Sequence, residues 1–295
     1  MGNYQAILRN FQPQHDFFIG VDSDGCVFDT MEIKQKECFF PNNIKFFQLQ
    51  PIAKYVQEAV EFVNLYSKWR GSNRFPALLK VMDLLAEREE VKESGVGLPD
   101  LKAFREWVNS GMLLSNETLK ERVEETGDPG LKNILDWSIA VNKTIEDLAR
   151  NIPPYPYVKE SFEKVSNRAD LICISQTPSE ALEREWAEQG IAKYVALIAG
   201  QELGTKKEHL KLAAVEKYQA NHILMVGDAL GDLEAAKANG ALFYPINPGH
   251  EVESWKRFYE EALGRFFNET YQGEYEAGLI KDFQLLLPET SPWER

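Results

Sequence analysis

Five short apolar runs punctuate an otherwise mixed chain: Phe17 to Val21, Leu171 to Ile174, Val195 to Ala199, Ile223 to Val226 and Leu242 to Pro245. Each has the length of a buried strand rather than a helix. From Tyr157 onward they alternate with helix-spaced segments, the βαβ pattern of a mostly parallel sheet. Between Thr30 and the proline-rich break Ile152-Pro153-Pro154-Tyr155-Pro156 the period changes. There Tyr55, Ala59, Val60, Val63 and Tyr66 recur at helical spacing, as do Leu101, Phe104 and Val108, then Leu131, Ile134, Leu135, Ile145 and Leu148. These stripes predict an all-helical insert with its own core. The expected organisation is an α/β core over residues 1–32, a helical domain over 33–152 bounded by the proline break, and the rest of the core over 153–295, ending in a C-terminal helical extension. His250 to Asn268 reads as one amphipathic helix. Thr177-Pro178-Ser179-Glu180 has the form of a capping box with Gly190 as the stop.

At 295 residues the chain suits two domains. Its 44% hydrophobic and 12% aromatic content is that of a globular protein. The excess of 46 acidic over 33 basic residues, formal charge −13, repels nucleic acid and anionic membrane surfaces, so neither is an expected partner. An anionic substrate meets the same repulsion and needs local positive groups. Met1-Gly2-Asn3-Tyr4-Gln5-Ala6 has no apolar signal core, and Ala6 stands where a myristoylation signal needs Ser or Thr. Cys26, Cys38 and Cys173 lack metal-ligand spacing and read as reduced thiols, so a cytoplasmic location is expected. The four histidines, equally without ligand spacing, read as structural or solvated.

The candidate chemistry lies where the strands end. The first delivers Asp22 and Asp24 with Gly25 behind them. Paired carboxylates raise one another's pKa unless a cation or basic partner relieves them, although a solvated Asp-Ser-Asp-Gly turn is the competing reading. The strand Ile223 to Val226 leads into Gly227-Asp228, with Asp232 four residues on; that second carboxylate also suits a helix cap. Leu171 to Ile174 ends in Ser175, and Gly204-Thr205-Lys206-Lys207 presents two ammonium groups. In an open parallel sheet such residues meet in one crevice outside the strands' carboxyl ends.

Taken in order, Asp22-x-Asp24-Gly25-x-x-x-Asp29-Thr30, Ser175, the lysine, and Gly227-Asp228-x-x-x-Asp232 resemble the four motifs of the haloacid dehalogenase (HAD) superfamily. That resemblance implies a Rossmann-like core with a helical cap inserted after the first motif. It implies Mg²⁺ as cofactor, Asp22 as nucleophile forming an aspartyl-phosphate, and Asp24 as the acid and base. Metal ligands would be the Asp22 side chain, the Asp24 main-chain oxygen and Asp228, with Asp232 in the outer shell. Ser175 and the Gln176 N–H would hold phosphate oxygens. Either Lys206 or Lys207 fits the lysine; the spacing to Leu210 favours Lys206. Asp24 argues for phosphoryl transfer, because the superfamily's dehalogenases lack it.

The expected activity is that of a Mg²⁺-dependent phosphatase acting on a small phosphorylated metabolite such as a sugar phosphate. A phosphomutase using the same motifs, similar to β-phosphoglucomutase, is the alternative, and a silent phosphometabolite-binding protein a further one. In the insert, Trp69, Arg70 and Arg74 are the groups suited to recognition, with an ordinary helix-linking loop as the rival reading. Substrate and oligomeric state are not legible.

Overall fold

The computed structural model describes residues 5–294; the targeting reading of Met1 to Tyr4 lies outside them. The chain divides into two compact units, one taking residues up to Met31 together with Asn151–Pro288, the other Glu32–Arg150 with the residues from Glu289 onward.

The first unit is built on five parallel strands, β1 Phe17–Val21, β2 Ala169–Ile174, β3 Leu197–Ala199, β4 Ile223–Gly227 and β5 Leu242–Pro245, in the order β3-β2-β1-β4-β5. Their apolar residues alternate between two cores. Ile19, Val21, Leu171, Cys173, Leu224 and Val226 pack on one face, and Phe18, Ile172, Ile174, Ile223 and Met225 on the other. Both faces are therefore buried, which is why the runs read as continuous rather than alternating. β3 begins later than its apolar run, since Ala196 already donates to the Leu171 carbonyl at 2.8 Å before the ladder proper starts.

Register sets up the site. Val21 pairs with Cys173 on one side and Val226 on the other, so β1, β2 and β4 end nearly flush. The residues that follow, Asp22, Ser175 and Asp228, leave the sheet along one edge. Strand order reverses between β1 and β4, the position at which open α/β sheets gather ligands.

The segment from His250 forms consecutive helical stretches, Glu251–Arg257, a π-helical turn Phe258–Ala262, and Leu263–Phe267. The Thr177 capping box does not form. The helix is Ser179–Glu188, its N-cap is Pro178, and the Ser179 N–H and hydroxyl donate to Glu202 at 3.0 and 2.8 Å.

Helices are the regular secondary structure among the second unit's described residues, joined by short loops. Ala53–Leu65, Arg74–Glu87, Asn116–Thr126 and Pro129–Leu148 are its longest helices. Their stripes meet around Phe75, Trp107 and Trp137. The stripe on Pro129–Leu148 ends before the helix does, because Leu148 is 51% exposed. The C-terminal residues expected to stay with the core group from Glu289 onward with this unit instead. Glu289 pairs with Lys68, Trp293 packs edge-on against Phe62, and the Arg88 guanidinium lies over both Tyr55 and Trp293. These contacts give the tail apolar and cationic partners there.

Candidate active site

Asp22 continues β1 by one residue: its N–H donates to the Val226 carbonyl at 3.0 Å, so its side chain starts from a fixed backbone. The chain then turns sharply. The Ser23 carbonyl accepts from the N–H groups of Cys26, Val27 and Phe28, and Gly25 takes a φ of 74°, left-handed geometry that a side chain would strain. Two buried indoles brace this turn. Trp186 donates to the Ser23 hydroxyl at 3.0 Å and Trp255 to the Cys26 carbonyl at 2.7 Å.

Asp232 approaches from the first turn of the helix Leu230–Ala238, where one carboxylate oxygen accepts the Ala229 N–H at 3.1 Å. Gly227 makes this approach feasible, for a Cβ there would meet the Asp232 side chain at 2.4 Å. Lys206 opens the helix Lys206–Ala213, which is capped by Thr205 and Glu208. Its ammonium lies 2.7 Å from Asp22 Oδ2 and 2.6 Å from Asp232 Oδ1. Lys207, by contrast, is exposed.

Asp22, Asp228 and Asp232 are all buried, and each offers one oxygen within 4.8 Å of the others. With all three ionised, the cluster carries three negative charges, and the Lys206 ammonium contacts two of those carboxylates. Burial pushes the Asp22 carboxyl well above the ordinary aspartate value; Lys206 opposes that, and Asp232 and Asp228 add to it. Burial also works against the Lys206 charge, but the two carboxylates outweigh it and hold the ammonium above the ordinary lysine value. A buried, all-carboxylate donor set with excess negative charge fits a hard divalent cation.

Asp24 sits apart from this group. Thr30 donates to its Oδ1, and Thr177 to its Oδ2 at 2.7 Å. Ser175 is held by its N–H to the Ala199 carbonyl at 2.9 Å, and its hydroxyl accepts the Thr177 N–H at 3.2 Å. The Gln176 side chain reaches across to the Gly204 carbonyl at 2.9 Å, tying the serine turn to the loop that carries Lys206. Asp29 accepts the Tyr155 hydroxyl at 3.1 Å. Thr177 and the two tryptophans were not singled out from sequence as site residues. A threonine before proline reads as a cap, and the indole partners lie more than 150 residues from the turn they brace.

The three groups named in the helical unit have local partners. Arg70 is 4% exposed and donates to the Leu65 carbonyl at 3.0 Å. Arg74 donates to the Ser138 carbonyl and hydroxyl and to Asn142, and burial lowers its pKa to about 10. Trp69 lies against Phe62 with the Lys68 and Lys80 ammonium groups over its ring.

Residues 21–240 match the family model of haloacid dehalogenase-like hydrolases, and the chain belongs to that hydrolase family. A phosphoglycolate phosphatase from Vibrio parahaemolyticus is 30% identical over 102 residues, which are 32% of this chain and 45% of that relative's length. Among solved structures, a candidate phosphoglycolate phosphatase from Lactobacillus delbrueckii subsp. bulgaricus aligns with a TM-score of 0.49 at 10% identity, over 88% of this chain and 100% of its own. A candidate haloacid dehalogenase-like hydrolase from Bacteroides fragilis also gives 0.49, at 12% identity over 82% and 93%. At such identities these neighbours do not bear on substrate.

Proposed function

We propose that this chain is a phosphatase that hydrolyses a small phosphomonoester through an aspartyl-phosphate on Asp22. The supporting observation is the convergence of Asp22, Lys206, Asp228 and Asp232 at the flush ends of β1 and β4, with Asp24 two residues beyond the nucleophile. An Asp22 oxygen would attack phosphorus, forming an O–P bond as the ester O–P bond breaks. Asp24, entering that step protonated, would donate its proton to the departing alkoxide. As carboxylate it would then take a proton from the water that cleaves the aspartyl-phosphate, returning phosphate and free Asp22. Lys206 holds Asp22 oriented and adds positive charge beside a phosphate that the acidic chain otherwise repels. Ser175 and the Gln176 N–H would receive phosphate oxygens at the strand-end turn.

Asp22, Asp228 and Asp232, with the Asp24 main-chain oxygen, would hold Mg²⁺. When bound, the ion supplies charge neutralisation for phosphate oxygens. Cytoplasmic location remains part of the proposal; among the described residues no helix is long and apolar enough to cross a membrane.

The test is inorganic phosphate release from phosphoglycolate, sugar phosphates and nucleotides, with Mg²⁺ and with EDTA. Phosphoglycolate heads the panel because the curated relative carries that activity in its name. Mg²⁺-dependent release from a restricted group supports the reading. Conversion of a sugar phosphate to its isomer without release points to the mutase, and binding without turnover to the silent protein.

A further inference from the structure

Asp24 is held in a way the proposed mechanism does not by itself require. Its two oxygens accept from two hydroxyls on different elements, Thr30 at the start of the helix after the turn and Thr177 beside Ser175. The Thr177 backbone is pinned on both sides. Its N–H donates to the Ser175 hydroxyl at 3.2 Å and its carbonyl accepts the Gln201 N–H at 3.1 Å. Its β-branched side chain has few rotamers to choose from. A threonine hydroxyl carries one proton, and here that proton is directed at Asp24 Oδ2, 2.7 Å away. The capping role that the Thr-Pro-Ser-Glu pattern suggests is thereby vacated, and Glu202 takes it over from outside the helix.

We infer that Thr177 is a positioning residue for Asp24, fixing the plane of its carboxyl from the turn that carries Ser175, and that it serves the leaving-group protonation step. The inference rests on the phosphatase reading. Thr30 holds one carboxyl oxygen and Thr177 the other. With both hydroxyls its orientation is tied to the turn on which the phosphate would sit. Misplacing an acid or base by about 1 Å costs on the order of 100-fold, so a partial loss of anchoring should be visible in the rate.

The experiment compares the full chain with Thr177→Val and Thr177→Ser on two esters, the alkyl phosphate of the panel that the wild type hydrolyses fastest and p-nitrophenyl phosphate. Nitrophenolate leaves without help from an acid, whereas an alkoxide does not. The value of kcat/KM reports the step in which the ester bond breaks. Thr177→Val should lower it about tenfold or more for the alkyl ester and less than about threefold for p-nitrophenyl phosphate. Thr177→Ser, which restores the hydroxyl, should recover both to within about twofold, and thermal melts should show all three chains folded.

Equal losses on both esters would make Thr177 a phosphate ligand or a structural residue and overturn the inference. So would a serine variant as poor as the valine one, or a valine variant with wild-type or higher activity. A wild type that hydrolyses no ester of the panel overturns the phosphatase reading and this inference with it. A wild type that turns over while Thr177→Val matches it overturns this inference alone.

Discussion

The strand-end cluster around Asp22 and the Trp69 to Arg74 segment of the helical unit begin alike, as charged and aromatic residues in a pattern suited to binding a ligand. The structure treats them differently. Asp22 and Arg70 are almost equally buried, at 5% and 4% exposure. Around Asp22 the buried groups carry charge of one sign in excess, and they come from β1, β4 and two helices that need not have met there. The Arg70 guanidinium reaches a carbonyl five residues earlier in its own unit, and Arg74 reaches the neighbouring helix. Burying charge is expensive unless it is paired. A site that gathers like charges from distant segments is therefore held together by the rest of the fold, whereas an arginine that donates to a carbonyl of its own unit contributes to holding that unit together. Burial alone does not separate the two; the origin and the sign of the partners do.

Replacing Asp22 by Asn is the strongest way to sharpen that contrast. Asn keeps the shape but cannot form the acyl phosphate, so kcat should fall more than about a thousandfold. Stability should change little, because two effects oppose. One oxygen must now serve donors that two served before, the Ser23 N–H at 2.8 Å and Lys206 at 2.7 Å, while repulsion from Asp228 and Asp232 is relieved. Phosphate release and a thermal melt on the same preparation decide it. A variant retaining more than about a tenth of wild-type activity would remove Asp22 from the nucleophile role.

Arg70→Met tests the other side of the comparison, with a smaller effect of the opposite kind. It keeps most of the side-chain volume and leaves the Leu65 carbonyl short of a donor, so unfolding free energy should drop by about 2 kcal/mol. KM for the panel's best substrate should stay within about twofold, since uniform binding is not what the residue supplies. A raised KM with unchanged stability would return the segment to substrate recognition.

The strands were legible because both faces of the sheet are buried and the apolar runs are short and bounded. The first-unit site was legible because carboxylates directly after such runs have no packing reason to be there. Asp22 and Asp228 stand directly after such runs, whereas Asp232 and Lys206 were named on the family resemblance, and the ion pairs linking Lys206 to Asp22 and Asp232 were not legible. Side chains whose role is set by tertiary partners could not be read in this way. Thr177 before Pro178 has the pattern of a cap, and only the position of Asp24 153 residues earlier redirects its hydroxyl. Trp186 and Trp255 look like any core indole until their N–H groups are seen to point at the turn after Asp22. Trp293 lies in a short polar tail, and the cation that anchors it, Arg88, is some 200 positions away. Arginines in a short link between helices look available because a helical period records which face is apolar, not which polar groups fold inward against carbonyls.

His209 gives a third kind of buried polar group, and the smallest expected effect. It lies one turn after Lys206 on the helix Lys206–Ala213 and is fully buried. Burial, helped by the Lys206 ammonium and opposed by Glu208 and the Gly204 carbonyl, lowers its pKa from 6.5 to about 4. Where Asp22 is charged among like charges and Arg70 is charged and satisfied, His209 is accommodated as a neutral ring. In the unfolded chain it titrates near its ordinary value. As pH falls from about 6.5 toward 4 the unfolded state therefore takes up a proton that the native state refuses, and stability falls across that window. The contribution is fully present above the window, and no further loss comes from this group below it. At pH 5.5 the loss should be roughly 1 kcal/mol. His209→Leu, which fills similar space and cannot titrate, should unfold in urea with a midpoint less sensitive to pH between 7 and 5.5 than the wild type's. Parallel pH dependence in the two chains would mean that the native fold accommodates the imidazolium, and that the neighbourhood of Lys206 is wetter than its burial indicates.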